Sequence, residues 1–321
     1  MADETPIVLG DAALEGLGIS PLEILDCVEE ALAGGVLTAP KASVVPGDGR
    51  YMMATLSTGG AADTTVVKTV TVAPGNAARG LAGIEGVIIL LDGQTGLLRA
   101  VMGSGWITGV RTAGLSAVAA RRMADPASRV IAFVGTGLQA RTHLDAFAAL
   151  FPLTEVRAFG RGGSSVGRLC DKAEAMGLKA IAAPDAESAL DGADLVVTSV
   201  TLDFELQPFL DARWLKPGAF AAVTDLGLPW KAEGNSAFGR IVIDDTVQEA
   251  ASGHKLCDPA LVSGDLGDLV SGRLKAGPDP SRPQALFFRG VAVGDHAVAA
   301  LAWERARTAG VGAPLPGWSL N

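Results

Sequence analysis

The sequence is poor in cysteine, in histidine and in clustered positive charge. Its three cysteines are odd in number and far apart, which argues against a disulfide framework and against a cysteine metal site. The three histidines have no mutual spacing suited to a metal, so we predict no metal ion. Because the formal net charge is −9 and no Lys/Arg cluster occurs, we expect neither nucleic acid nor an anionic membrane as a partner.

Long apolar runs are also missing. The run from Gly86 to Leu91 has the length of a strand, whereas a membrane-spanning helix needs about 20 residues. The first residues, MADETPIVLG, are acidic and contain no basic region followed by an apolar core, so we expect no signal peptide. We therefore expect a cytoplasmic protein whose ligand is a small molecule.

What is present is the composition of a folded α/β protein. The chain has 321 residues, of which 49% are hydrophobic and 19% charged, and it contains 41 glycines. This length exceeds the usual size of one domain, so we predict two. Up to about residue 120, segments that alternate every second residue, such as Thr64 to Val72 and Val87 to Asp92, are separated by turns. This pattern indicates an antiparallel sheet.

After about residue 120 the pattern changes. Short apolar segments alternate with amphipathic segments every 10 to 15 residues, which predicts βαβ units on a parallel sheet. The last long segment has Val298, Leu301, Ala302 and Ala306 at helical spacing and is followed by Gly310, a typical helix stop.

A glycine motif lies where the first of these strands runs into a helix. In VIAFVGTGLQARTHLDAF, Gly135, Gly137 and Ala140 form the pattern G-x-G-x-x-A. The first glycine permits a tight turn, the second lets a pyrophosphate approach the backbone, and the small third residue lets helix and strand pack closely. A turn that serves packing alone is the alternative, but the βα units that follow favour a dinucleotide cofactor.

The end of the second strand bears on which cofactor is used. An acidic residue there would bind the ribose of NAD, whereas an arginine favours the 2′-phosphate of NADP. The sequence EVRAFGRGGSS offers Arg161 and no acidic residue after the strand. We therefore predict NADP(H) as the preferred cofactor, with NAD(H) possible. The alternative for Arg161 is a solvated loop charge.

Several motifs together resemble one known family. The segments VVKTVTVAPGN, TGVRTAGLSAVAARRMA, VGTGLQARTH, VTDLGLPWKAE and GDLGDLVSGR are similar, in order and spacing, to the ornithine cyclodeaminase/mu-crystallin family. The resemblance covers roughly residues 35–312. It implies a Rossmann-type doubly wound parallel sheet domain, residues 119–289, inserted into an α+β substrate and dimerisation domain, residues 1–118 plus 290–321. It also implies a homodimer.

The resemblance further implies an activity. Family enzymes exchange hydride between a nicotinamide and the α-carbon of an amino or imino acid. We interpret the chain as an NAD(P)H-dependent imino acid (ketimine) reductase or amino acid dehydrogenase. Two alternatives remain open: an ornithine cyclodeaminase, which forms proline and ammonia and recycles its NAD, and a non-catalytic ligand-binding protein of the mu-crystallin kind.

Three residues match family positions that serve this chemistry. Lys68 and Asp225 are the predicted catalytic residues, and Arg111 is predicted to bind the substrate carboxylate, which its planar fork suits. Lys68 lies among apolar residues, where burial would lower the pKa of its ammonium toward a proton-transfer role. The alternatives are an edge-strand lysine for Lys68 and a helix N-cap for Asp225.

Other positions depart from the family pattern or have weaker support. Lys41 stands where a second carboxylate-binding arginine is common, and Met53 lies where ornithine cyclodeaminases supply an acid for the distal amine. Both are predicted to contact substrate. Trp230 replaces a usual glycine and either reshapes the pocket or covers a helix start. Asp295 matches a family aspartate, for which we predict an N-capping role.

The predicted cofactor-binding set combines the glycine motif with flanking positions. It comprises Thr112, Gly135, Thr136, Gly137, Leu138, Gln139, Ala140, Arg161, Ser199 and Val200.

Overall fold

The computed structural model describes residues 5–318, and the contacts between them separate two units. Unit 1 comprises Met1–Arg111 and Val291–Asn321, and unit 2 comprises Thr112–Gly290. The sequence prediction placed the divisions after residues 118 and 289. Unit 2 is thus continuous in sequence, whereas unit 1 is built from both ends of the chain.

The secondary structure alternates as the sequence patterns predict. The first part of the chain contains β1 (Ile7–Leu9), α1 (Asp11–Glu15), α2 (Pro21–Ala33), β2 (Val36–Thr38), β3 (Ala42–Val44), β4 (Tyr51–Gly59), β5 (Thr64–Val72), β6 (Ile84–Asp92), β7 (Leu98–Gly103) and α3 (Gly105–Met123). The middle contains β8 (Val130–Val134), α4 (Leu138–Leu150), β9 (Glu155–Phe159), α5 (Gly163–Ala175), β10 (Lys179–Ala182), α6 (Ala186–Leu190), β11 (Leu195–Thr198), β12 (Phe220–Val223), β13 (Arg240–Ile243), α7 (Thr246–Ala251), β14 (Val262–Asp265), α8 (Leu266–Ser271) and β15 (Gln284–Phe287). The chain ends with α9 (Ala292–Ala309) and β16 (Ala313–Pro314), and short 3-10 helices occur at Pro74–Arg79, Ala212–Trp214, Ala232–Ala237 and Pro259–Leu261.

Unit 1 is organised around one mainly antiparallel sheet. Its strand order is β16-β1-β7-β6-β5-β4-β2, with β3 also paired to β4. Strands β4 to β7 pair antiparallel in sequence order, while β1 joins β7 in parallel. Helix α9 packs on β4 and β5 and ends at Gly310, whose φ of 64° is the left-handed value that glycine adopts without strain.

The period-two pattern of β5 separates its two faces. Thr64, Val66, Lys68 and Val70 are buried, whereas Thr69 is exposed. In the sheet register Lys68 lies opposite Thr55 of β4 on one side and opposite Ile88 of β6 on the other. Lys68 is therefore in the middle of the sheet, on its covered face.

Unit 2 contains a parallel sheet of eight strands, ordered β10-β9-β8-β11-β12-β15-β13-β14. Its first five strands have the order of a Rossmann-type fold, in which the chain moves outward from β8 on one side and then on the other. The central strands β8 and β12 are apolar throughout, because helices cover a parallel sheet on both faces. Phe133, Phe220 and Phe287 are fully buried in it.

Residues 5–318 contain neither a membrane-spanning helix nor a cluster of metal-binding side chains. None of the helices there is long and apolar enough to span a membrane. Nor do these residues contain a group of three or more His, Cys, Asp or Glu side chains arranged to hold a metal ion.

Candidate active site

Unit 1 holds a buried cluster of charged side chains around Lys68, which we call the lysine cluster. It consists of Lys68 from β5, Thr108 and Arg111 from the start of α3, and Asp295 from the first turn of α9. Thr108 and Arg111 are three residues apart, so they lie on one side of their helix. Three elements distant in sequence thus bring their polar groups together.

The distances within the lysine cluster are those of hydrogen bonds and ion pairs. The Lys68 Nζ donates to Thr108 Oγ1 at 2.6 Å and to Asp295 Oδ1 at 2.9 Å. The Arg111 Nε lies 3.0 Å from the same Oδ1. One carboxylate therefore serves two cations, and all three charged side chains are at most 7% exposed.

Burial and the neighbouring charges act on the pKa values in opposite directions. Burial lowers the pKa of Lys68 to about 8; Asp295 opposes this change and Arg111 adds to it. Burial alone would raise the pKa of Asp295, but Arg111 and Lys68 hold the pKa of that carboxyl below its ordinary value. The lysine cluster accordingly carries a net positive charge near neutral pH, and the pKa of Lys68 is closer to neutrality than that of an exposed lysine.

Two of the predicted substrate residues lie near the lysine cluster in unit 1. Lys41, between β2 and β3, acts electrostatically on Asp295 and lowers the pKa of its carboxyl. Met53 faces the same side of the sheet as Lys68, since it pairs with Val70, two residues further along β5. The side of β4 that carries Met53 continues with Thr55 and Ser57, so it presents no carboxylate.

Asp295 differs from its predicted role. Helix α9 has Val291 at its N-cap, without a side-chain hydrogen bond, and Asp295 lies in its first turn, 2% exposed. The N-capping prediction was wrong because the side chain turns inward to Lys68 and Arg111 rather than to the backbone. The sequence signal was available: an aspartate among the apolar residues VAVG and AVAAL is on a buried face and needs a cationic partner.

Unit 2 contains the predicted glycine motif at the carboxyl end of β8, and we call residues 135–140 the glycine loop. Gly135 has φ +88°, and a Cβ added there would lie 2.5 Å from the Ser199 carbonyl oxygen, so only glycine fits. At Gly137 a Cβ would meet nothing within 4 Å. Ala140 is fully buried at the helix–strand contact. This is the division of roles that the motif predicts.

The glycine loop fits a dinucleotide cofactor by position as well as by shape. Strand order reverses between β8 and β11, and ligands of open α/β sheets bind at such a point, beyond the carboxyl ends of the strands. Gly137 is exposed and precedes α4, whose first N–H groups and positive dipole end suit a pyrophosphate. Ser199, at the end of β11, donates from Oγ to the Gly135 carbonyl at 3.3 Å.

The third feature is the turn of residues 225–227 after β12, which we call the aspartate turn. Asp225 is 1% exposed, and its carboxylate accepts from Thr198 Oγ1 at 3.1 Å and from the Val200 N–H at 3.0 Å. Burial raises the pKa of Asp225 to about 6, although these hydrogen bonds favour the ionised form. The next residue, Leu226, has φ +60°, a strained value for leucine that is typical of functional turns.

The structure also bears on the alternatives for Asp225 and shows the surroundings of Trp230. The N-cap of the following 3-10 helix is Lys231 and not Asp225. Trp230 is 3% exposed and packs against Phe238 in the core of unit 2. Its indole Nε1 donates to Thr198 Oγ1 at 3.2 Å. The family pattern in the sequence did not predict this contact.

The remaining predicted cofactor residues fall into two groups. Leu138 and Gln139 open α4 in the glycine loop, where Thr136 Oγ1 lies 2.9 Å from Ser165 Oγ. Arg161 is exposed just after β9, and Thr112 is buried in α3.

The chain is similar to several known proteins. The family model for the ornithine cyclodeaminase/mu-crystallin family matches residues 12–310. The ketimine reductase mu-crystallin of Rattus norvegicus is 30% identical over 249 residues, which span 76% of this chain and 77% of that protein.

Two solved structures share the fold. The Thermococcus litoralis Delta(1)-pyrroline-2-carboxylate reductase in complex with NADH and L-proline has a TM-score of 0.85 at 21% identity, and the match covers 96% of this chain and 100% of that one. An archaeal alanine dehydrogenase dimer with bound NAD has a TM-score of 0.86 at 24% identity, covering 98% and 100%. On the match of the family model over most of its length, the chain belongs to the ornithine cyclodeaminase/mu-crystallin family.

Proposed function

We propose that the chain is an NAD(P)H-dependent reductase of imino acids, which transfers hydride to the imine carbon and releases an amino acid. The observation that carries the proposal is the lysine cluster, in which two buried cations share one carboxylate and a third cation, Lys41, acts on it. The excess positive charge is suited to a second carboxylate, that of the substrate. A ketimine reductase is also among the relatives of this chain.

The glycine loop is assigned to cofactor binding in this proposal. The N–H groups at the start of α4 bind the pyrophosphate, and Gly137 leaves the space that a side chain would fill. When bound, the nicotinamide supplies the hydride. Two predicted residues at the end of β11, Ser199 and Val200, lie beside this loop through the contact with Gly135.

The charged residues of unit 1 bind and orient the substrate. Arg111 takes the carboxylate, with Lys41 as a second, monodentate cation. Lys68 remains protonated below its pKa of about 8, held by Thr108 and Asp295. These two hydrogen bonds orient the ammonium, which is available for proton exchange.

We assign to Asp225 the stabilisation of the protonated substrate nitrogen and the exchange of its proton. Reduction proceeds through a protonated imine, whose positive charge an ionised carboxylate stabilises. A pKa of about 6 leaves Asp225 mostly ionised at neutral pH while allowing it to carry a proton within the cycle. The strained turn at Leu226 supports a functional rather than a packing role for this aspartate.

The proposal is tested by incubating purified protein with NADPH or NADH and a panel of cyclic and linear imino acids, and following the absorbance of the reduced cofactor. Substrate-dependent loss of that absorbance, with formation of the amino acid, is the expected result. Cofactor binding without turnover on any substrate contradicts it and favours a ligand-binding protein. Ammonia release from ornithine, without net cofactor change, contradicts it in favour of a cyclodeaminase.

One observation disfavours the cyclodeaminase. That reaction needs a group for the distal amine of ornithine, and the face of β4 beside Lys68 offers Met53, Thr55 and Ser57 instead of an acid. The carboxylate nearest to Lys68, Asp295, is already held by two cations.

For the cofactor we propose a preference for NADP(H). Arg161 follows β9 and is exposed, beside the small residues that open α5, and no acidic residue lies between it and that helix. Arg161→Ser is expected to weaken NADPH binding about tenfold and to leave NADH binding unchanged. The matched control is Arg168→Ser, which removes another exposed arginine, on α5. Equal effects of both variants contradict the assignment.

We also propose that unit 1 is the substrate and dimerisation domain and that the chain is a homodimer. The sheet face opposite Lys68 exposes several large apolar side chains: Leu37, Val44, Met52 and Leu56 are 73%, 63%, 37% and 47% exposed. These side chains share that face by register. A relative of the same fold is a dimer. Leu56→Lys is expected to halve the mass measured by light scattering, and an unchanged mass contradicts this interface.

A further inference from the structure

Asp225 is connected to a buried tryptophan through one hydroxyl. The Trp230 Nε1 donates to Thr198 Oγ1 at 3.2 Å, and Thr198 Oγ1 donates to Asp225 Oδ1 at 3.1 Å. Thr198 is fully buried and Trp230 nearly so. The three groups form an ordered chain of hydrogen bonds, which we call the tryptophan relay.

The direction of the tryptophan relay follows from donor chemistry. An indole N–H only donates, so it must use a lone pair of the Thr198 oxygen. The hydroxyl has one proton, and this proton then points at Asp225. Without the indole, the hydroxyl would be free to turn away. Trp230 therefore fixes a donor on the carboxylate without touching it.

In the surroundings of Asp225, hydrogen bonds are what favours the ionised form of its carboxylate. The strongest influences on the pKa of Asp225 are its burial, followed by the Val200 N–H, the Thr198 hydroxyl, and the N–H groups of Asp225 and Gly227. No charged side chain is among them in the described part of the chain. The charged neighbour of Trp230, Lys231, has its ammonium over the Trp214 ring.

We propose that Trp230 and Thr198 are positioning residues that keep the Asp225 carboxylate ionised and oriented at neutral pH. Burial disfavours the charged form of this carboxylate, and the tryptophan relay opposes that effect. The inference rests on the proposed function for the role of Asp225 in proton exchange, but the relay itself is testable without turnover.

The first measurement is the pKa of Asp225 by NMR, in protein labelled with ¹³C at the aspartate carboxyls and assigned by comparison with Asp225→Asn. Thr198→Val keeps the shape of the side chain and removes the donor, so the pKa is expected to rise by about one unit. Thr198→Ser keeps the hydroxyl and is expected to match the wild type. Trp230→Phe is expected to give a rise of roughly a third of that in Thr198→Val, because the donor stays but is no longer fixed.

A double variant tests whether the two residues act through the same hydroxyl. In the Thr198→Val background, Trp230→Phe should give no further rise. Trp214→Phe, which changes a tryptophan outside the tryptophan relay, is the matched control and should leave the pKa unchanged. An unchanged pKa in folded Thr198→Val overturns the proposal, as does an additive effect of Trp230→Phe.

Measurements of turnover then distinguish the tryptophan relay from the proposed role of Asp225 in proton exchange. If Asp225 exchanges the proton, the acidic limb of the pH profile of kcat/KM moves upward in Thr198→Val by the same amount as the NMR pKa. If the NMR pKa moves and the limb does not, the tryptophan relay stands and the proposed role of Asp225 is wrong. Circular dichroism at each pH confirms that the variants are folded.

Discussion

Replacing the shared carboxylate of the lysine cluster should destabilise the protein strongly. Asp295 lies 2.9 Å from the Lys68 Nζ and 3.0 Å from the Arg111 Nε, in a site that is almost completely buried. Each pair corresponds to about 5–6 kcal/mol of gross attraction at an effective dielectric constant of about 20. Desolvation offsets most of this energy. Removing one partner still leaves buried charge uncompensated, so Asp295→Asn should cost about 3–5 kcal/mol.

The destabilisation caused by Asp295→Asn should depend on pH, and the pKa of Lys68 determines in which direction. The pKa of Lys68 is about 8 in the folded protein, below the ordinary 10.5 of an unfolded chain. Burial of its ammonium therefore costs most below pH 8 and is relieved as the pH rises through that value. Asp295 raises the pKa of Lys68, so its loss lowers the pKa further. The cost of Asp295→Asn should be greatest at mildly acidic pH, where Lys68 is charged and Asp295 is ionised, and smaller at about pH 9, where most of Lys68 is neutral in both proteins.

Urea denaturation of the wild type and the variant at about pH 6.5 and about pH 9 measures both effects. Asp48→Asn makes the same chemical change in an exposed ion pair with Arg50 and should have no measurable effect. Adding Lys68→Met to Asp295→Asn should recover about 1–2 kcal/mol, since it removes an uncompensated ammonium. The argument is refuted if Asp295→Asn behaves like Asp48→Asn, or if the double variant is less stable than the single one.

Four further predictions concern activity, cofactor binding and the stability of the glycine loop. Arg111→Ala should lower kcat/KM by about a hundredfold or more while the cofactor Kd changes less than about twofold; equal losses would contradict its carboxylate role. The profile of kcat/KM should fall below about pH 6, as Asp225 is protonated, and above about pH 8, as Lys68 loses its proton; a flat profile across both values would exclude these roles. Gly135→Ala should cost more than about 1 kcal/mol in thermal unfolding. Gly137→Ala should change stability by less than about 0.5 kcal/mol yet weaken cofactor binding about tenfold, and a normal affinity in that variant would count against the proposed pyrophosphate position.

Local patterns predicted much of the fold. The alternation of Thr64 to Val72 became a central strand, and the segment stopped by Gly310 became α9. The glycine loop was predicted because its requirements are local: a strand before it, a helix after it and no side chain at two positions. Lys68 was singled out by its match to a family position, since local spacing alone is equally typical of a solubilising edge-strand lysine.

Local sequence patterns could not predict which side chains Lys68 and Trp230 contact. Asp295 is 227 residues from Lys68 in sequence, and no local sequence feature at either residue predicts that the two form an ion pair. Trp230 was noted only as a replacement for glycine, since sequence does not reveal where an indole N–H points. The contact with Thr198 depends on how β11 and the segment after β12 meet, which is a property of the whole sheet.

The sequence separation of Lys68 and Asp295 also has a consequence for synthesis. At roughly 5–20 residues per second, a ribosome needs about 10–45 s to reach Asp295 after it has added Lys68. All of unit 2 is synthesised within this interval, so the sheet of unit 1 cannot bury Lys68 against Asp295 until the last helix has been made. A chain that ends before residue 295 would contain the whole glycine-loop sequence but would lack the carboxylate that compensates the Lys68 ammonium.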